Sequence, residues 1–283
     1  MSPGRRLLWA YGALSLAAVG AGCAVAATQG VPAGVWARDL AAWGLGLGAA
    51  ALLTRVSNPI VYVACLLGAP LGLAATVISA GMQGVHRWTH LGRLQINMAQ
   101  VLLPLAVVAL APLTAVRQWP WLITAVILAL LIAQPDASQA TAFGGAMIVI
   151  ARLAASPRSV RWGVTALASL AIGVAWLRPD PLAPVPEVEH ILQLAWALSP
   201  AAAIAAGALL AASALAPWFS LSQGGQAAGS AAVGLSVYLL LSAITPALGA
   251  FPVPLVGMAT SPILGFWLGV GLLAAPGAKR PTP

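Results

Sequence analysis

The chain is nearly without charge: 6% of its 283 residues are charged, and only 5 are Asp or Glu. Soluble domains carry about 25% charged residues, so a water-facing globular surface is excluded. Cysteine is equally scarce. Cys23 and Cys65 each lie inside an apolar run, where they read as small core residues rather than as a disulfide or a metal site. There is no phosphate loop, dinucleotide fingerprint, Cys-x-x-Cys pair or His-Glu-x-x-His, so the common soluble-enzyme motifs give no lead.

What remains is apolar. Hydrophobic residues make up 61% of the chain, and mean hydropathy is +0.95. Gly (29) and Pro (22) are frequent, as suits membrane helices that pack closely or break at functional positions. The 13 Lys and Arg leave a net charge of +8. These basic residues lie between apolar runs, so they report topology, and no nucleic-acid partner is expected.

A membrane helix needs about 20 mostly apolar residues. Ten runs qualify, at 7–27, 36–54, 60–81, 97–115, 119–133, 140–155, 161–177, 200–218, 226–247 and 258–276; the fifth and sixth are short enough to form one broken hairpin. Arg5 and Arg6 before the first run resemble the start of a signal peptide. The run is longer than a signal core, and Gly20 occupies the position where a lipoprotein site at Cys23 would have a larger aliphatic, so an uncleaved first helix is expected.

With both termini in the cytoplasm, Arg5, Arg6, Arg55, Arg117, Arg152, Arg158, Arg161, Lys279 and Arg280 fall on the cytoplasmic side. Only Arg38, Arg87, Arg93 and Arg178 fall opposite, a clear positive-inside bias. Asp39, Asp136, Asp180, Glu187 and Glu189, with His86, His90 and His190, then all gather on the extracytoplasmic face. The fold class is thus an all-α polytopic membrane protein of about ten helices, forming one transmembrane domain over 1–283.

Three polar segments on that face carry candidate chemistry. Gly84 to Arg93 holds His86, Arg87, Trp88, His90 and Arg93, which suit either a phosphate-holding group or an interfacial belt. Gln134-Pro135-Asp136 sets a carboxylate near membrane depth, either as a functional acid or as a helix cap. Arg178 to His190 is a proline-stiffened loop in which Asp180, Glu187, Glu189 and His190 suit a general base, a divalent-cation site or a solvated connector. A fourth stretch, Gly249 to Gly257, approaches the membrane as apolar, proline-broken backbone, so it is expected to line a cavity.

In order, these segments resemble the SEDS family of FtsW, RodA and SpoVE type. Gly84, Arg87, Trp88 and Gly92 match its G-x-x-R-W-x-x-x-G stretch, and Gln134-Pro135-Asp136 its Q-P-D-L-G. Asp180 with Glu187 and Glu189 resembles its catalytic Asp and following Glu pair, and Gly249 to Ser261 its G-L-P-L-P stretch. There are departures: Asn97-Met98-Ala99-Gln100 replaces Q-P-S-E, Ser138 a Gly, Gly257-Met258-Ala259-Thr260 the S-Y-G-G core, and Arg178-Pro179 the residues before the catalytic Asp.

The resemblance implies a peptidoglycan glycosyltransferase that polymerises lipid II at the outer face of the bacterial cytoplasmic (inner) membrane, in division or shape. Asp180 is the implied base and Glu189 its helper. Arg87 and Arg93 would hold the diphosphate, with Trp88, Asp136 and His86 completing the substrate site. A divalent cation (Mg or Mn) and a single-pass transpeptidase partner are implied, within membrane lipid. The alternatives are a catalytically degenerate scaffold for a transpeptidase and a carrier of a lipid-linked solute.

Overall fold

The computed structural model describes residues 2–92, 94–154, 156–218 and 225–276. Its helices are α1 (Pro3–Thr28), α2 (Ala33–Leu53), α3 (Ile60–Val77), α4 (Met98–Thr114), α5 (Pro120–Ala133), α6 (Ala137–Leu153), α7 (Arg158–Leu177), α8 (Pro186–Glu189), α9 (Ile191–Leu198), α10 (Pro200–Leu215), α11 (Gln226–Ile244) and α12 (Thr260–Ala274). All ten apolar runs form helices whose ends agree with expectation to within a few residues. α1, α3, α7, α10 and α11 are long and apolar enough to cross a membrane, and α4, α5, α6 and α12 are shorter apolar helices beside them. The protein is a polytopic α-helical membrane protein.

α4 is buried on nearly every side, and it packs against α3, α11 and α12. Apolarity all round, rather than along one stripe, is what a central helix requires. Glycines let α12 approach its neighbours, as small residues do in membrane bundles where lipid supplies no hydrophobic drive. A Cβ at Gly265 would run into the Gln100 carbonyl, and one at Gly271 would lie 2.6 Å from Ala50 Cα. Trp267 fills the adjoining core, edge-on to Tyr11 at 4.8 Å and to Trp43 at 5.5 Å. Leu45, Leu71, Leu122 and Leu170 point outward from the bundle, as lipid-facing residues do.

Three features of the layout matter for the site. The third helix stops at Val77, and the chain then forms an antiparallel hairpin of β1 (Trp88–Leu91) and β2 (Leu94–Asn97), with Trp88 opposite Asn97. Trp, Thr and Ile favour strands, and a two-residue loop with Gly first is a hairpin turn. Gly92 there has φ +62°, and Gly84, before the hairpin, φ +83°. Both glycines of the first motif therefore occupy backbone that a side chain disfavours. Second, α5 and α6 are separate helices broken at Gln134–Asp136. Third, the end of the expected loop forms α8, with Pro186 as its first residue, where proline is tolerated, and the unassigned residues after it form α9.

The two ends of the bundle differ. The start of α1 touches the end of α12, since a Cβ at Gly4 would meet the Ala274 carbonyl at 2.8 Å. The hairpin, the α5–α6 break, the end of α7, α8 and the 249–260 stretch come together at the other end, around the cavities described next.

Candidate functional site

Arg87, between Gly84 and Gly92, is only 5% exposed. Its Nε donates to the Gln134 carbonyl at 3.0 Å, and Nη2 donates to the Pro135 carbonyl and to Asp180 Oδ2, the latter at 2.8 Å. Asp136 Oδ2 lies 3.8 Å from Nε. Segments separated by 47 and 93 residues thus meet on one guanidinium. A planar fork can hold several oxygens at fixed angles in this way, which an ammonium cannot.

The Gln-Pro-Asp break is built for this. The Gln134 side chain donates to Leu73 O at 2.9 Å and to Thr76 Oγ1 at 2.8 Å, anchoring the break to the end of α3. Asp136 Oδ1 caps α6 by accepting from Gln139 N–H at 3.1 Å. The cap and the charged pairing therefore occur together in one carboxylate. Burial pushes its pKa upward, against the opposing pull of Arg87 and the cap.

Asp180 follows α7 and is more open, its side chain 22% exposed. One oxygen faces Arg87, and the other accepts from Leu182 N–H at 3.2 Å. Glu189 closes α8, where Oε2 accepts from Val185 N–H at 2.7 Å and burial raises its pKa. The Gly249–Gly257 stretch docks on α8, with Val253 N–H donating to Val188 O and Met258 N–H to Glu187 O. As expected, this irregular backbone lines a cavity.

Two adjoining cavities result. A small one, about 40 Å³, is lined by Arg87, Asp136, Asp180, Glu189 and Phe251 among others. A larger one, about 640 Å³, within the usual range for ligand sites, continues past Trp88 to Arg38, Asp39, Gln83 and Gln95. Trp88, Asn97, Gln100, Leu182, Ala183, Glu189 and Pro252 line both. Of the residues singled out in the sequence, Arg87, Trp88, Asp136, Asp180 and Glu189 are brought together. His86 lines neither cavity; its Nδ1 lies 3.1 Å from Ser79 O, and Gly81 packs against its ring. Arg93 lies outside the described residues.

Among the other lining residues, Arg38, Asp39, Asn97 and Gln100 had been given no site role from the sequence. An acid within an apolar run is a functional candidate by default, and that signal marks Asp39. Asn97 caps α4 by accepting from Gln100 N–H at 3.2 Å, and its own N–H donates to Ser261 Oγ at 3.0 Å. Among the described residues, no group of three or more His, Cys, Asp or Glu is placed to hold a metal ion. Of the three carboxylates lining the small cavity, Asp136 and Asp180 already face Arg87 and Glu189 accepts from Val185 N–H, so the donor set does not fit a divalent cation, and no step below is routed through one.

Neither a protein-family model nor a curated protein matches the chain. Solved structures do. The rod shape determining protein RodA of Thermus thermophilus superposes with a TM-score of 0.64 at 22% identity, covering 94% of each chain. The chain has the RodA fold. An aspartate-to-alanine variant of the same RodA gives 0.66 at 21% identity over 94% of this chain and 95% of that one. A chain from a peptidoglycan synthase complex, studied for how it coordinates polymerization and crosslinking, gives 0.67 at 22% identity over 94% and 96%. The resemblance read from four short motifs thus holds for the fold as a whole, with sequence far diverged from RodA.

Proposed function

We propose that this chain is a glycosyltransferase that polymerises glycan strands from lipid II, or a similar lipid-linked disaccharide, at the outer face of a bacterial cytoplasmic membrane. The observation that carries the proposal is the Asp180–Arg87–Asp136 array beside a cavity that Glu189 also lines. The RodA fold supports it.

Asp180 acts as general base. It accepts the proton of the acceptor sugar hydroxyl as that oxygen forms its bond to the donor's anomeric carbon. The bond from that carbon to the diphosphate breaks on the opposite face and carries its electron pair to the leaving group, which inverts the centre. Arg87 holds Asp180 in position through Nη2, and its charge, fixed in a buried setting, favours the developing diphosphate anion. Glu189, whose pKa burial raises, shapes the site and can carry a proton. Trp88 offers a flat face to a sugar ring at the cavity wall. A single-pass transpeptidase is the proposed partner, in keeping with the crosslinking described for the complex that shares this fold.

Gln100 favours a second reading, a catalytically degenerate scaffold, because it sets an uncharged carboxamide where the resemblance has Glu. The deciding experiment is glycan-strand synthesis from lipid II by the purified protein, with and without its transpeptidase, beside Asp180→Ala. Polymer from the wild type and none from an equally folded variant is expected. No polymer from folded wild type under either condition would overturn the enzymatic reading and favour the scaffold.

A further inference from the structure

We propose that Arg38 and Asp39 form a second binding pole in the larger cavity, where Asp39 accepts hydrogen bonds from hydroxyl or acetamido N–H groups of a sugar. The choice of ligand rests on the function proposed above; the site itself rests on the following geometry.

Asp39 lies in the second turn of α2 and is 1% exposed, yet it lines the cavity. Among the described residues its Oδ2 has no hydrogen-bond partner. A carboxylate in that state destabilises the free protein, and an apolar side chain would remove the penalty. A ligand donor reaching Oδ2 would relieve it. Arg38 precedes it in α2 and lines the same cavity, while the nearby Ala259 N–H is already taken by the Gly257 carbonyl at 2.8 Å. The surrounding wall carries the uncharged groups of Gln83, Gln95 and Ser261. Carboxamides and hydroxyls beside a carboxylate suit a neutral ligand rich in O–H and N–H groups. Asp39 and Glu189 together oppose an anion in the space between them, so the diphosphate belongs near a guanidinium and the sugar near Asp39.

The test uses the full-length protein in detergent and N,N′-diacetylchitobiose as the probe, with affinity read by calorimetry. Asp39→Leu is expected to weaken binding by about tenfold or more, the loss of a hydrogen bond to a charged group. Asp39→Asn, which keeps one acceptor, falls between, and Asp39→Leu melts at or above the wild-type temperature because no internal partner is lost. Wild-type affinity in Asp39→Leu, or no disaccharide binding by wild type, overturns the proposal. So does lost binding together with a melting temperature several degrees lower, which makes Asp39 a structural residue. Glycan synthesis is scored separately. Asp39-dependent binding without polymer leaves this site standing and removes the enzymatic reading, whereas polymer synthesis by Asp39→Leu at unchanged KM removes this site alone.

Discussion

Replacing Arg87 by Met removes the cation that, among the described residues, faces both Asp136 and Asp180. The Arg87 and Asp136 side chains are 6% and 4% exposed, so the charge left behind is buried. Breaking such a pair from one side costs about 3–5 kcal/mol. The carbonyls of Gln134 and Pro135 also lose their donor, at roughly 1 kcal/mol each where water cannot replace it. Asp136 can relieve part of the cost by taking up a proton, a direction its burial already favours. The pairing with Asp180 is discounted because solvent reaches that side chain. About 3–4 kcal/mol remains, which for a chain of this size lowers the melting temperature by roughly 6–12 °C. Intrinsic fluorescence during a thermal scan in detergent reads this directly. Arg87→Lys keeps the charge but not the fork, so its fall is smaller. In the double variant Arg87→Met with Asp136→Asn, about 1–3 kcal/mol should be recovered relative to the sum of the single changes. A melting temperature for Arg87→Met within about 2 °C of wild type, the shift that about 1 kcal/mol or less gives at this size, would refute the claim that this guanidinium holds the site together.

Two further outcomes follow from the same geometry. Burial holds the proton of Asp136 to higher pH in the folded chain than in the unfolded one. Folding therefore takes up a proton above the ordinary carboxylate range, so stability is fullest below that range and falls as pH rises through the folded value. Melting curves across this window should be flatter for Asp136→Asn, and an unchanged slope would show that Asp136 is not the group responsible. Gly265→Ala forces a methyl against the Gln100 carbonyl between α12 and α4. Overpacking of this kind typically costs about 1–3 kcal/mol, visible as a lower melting temperature and a smaller folded yield on size-exclusion chromatography, whereas Gly163→Ala, which meets nothing nearby, serves as the neutral control.

Much of this protein is legible in the chain because a bilayer enforces a simple rule. Backbone without water must bond to itself, so each long apolar run becomes a helix. Arg and Lys placement gave an expected sidedness with the acids gathered on one side, and the site lies at the end of the bundle where acids collect. The glycines of the first motif and the prolines near Asp180 were visible as backbone signals, and the cap at Asp136 as a composition signal. The hairpin after α3 was not, since four-residue strands beside apolar runs carry little periodicity. The short helices α8 and α9 were hidden in the same way.

The sequence by itself determined where the long apolar helices lie and the segments from which the site is drawn. It did so because hydrophobicity and charge act locally and are strongly priced by the membrane. Only the tertiary structure decided that Arg87 is bound to Asp180 and to the Gln134–Asp136 break, that His86 turns to Ser79 away from the cavities, and that Asp39 lines the larger one. Those outcomes depend on how helices far apart in the chain pack. No local pattern encodes which of several acids a buried guanidinium meets, because that choice is settled by the shape of the packed bundle and by the energy of leaving a charge unpaired inside it.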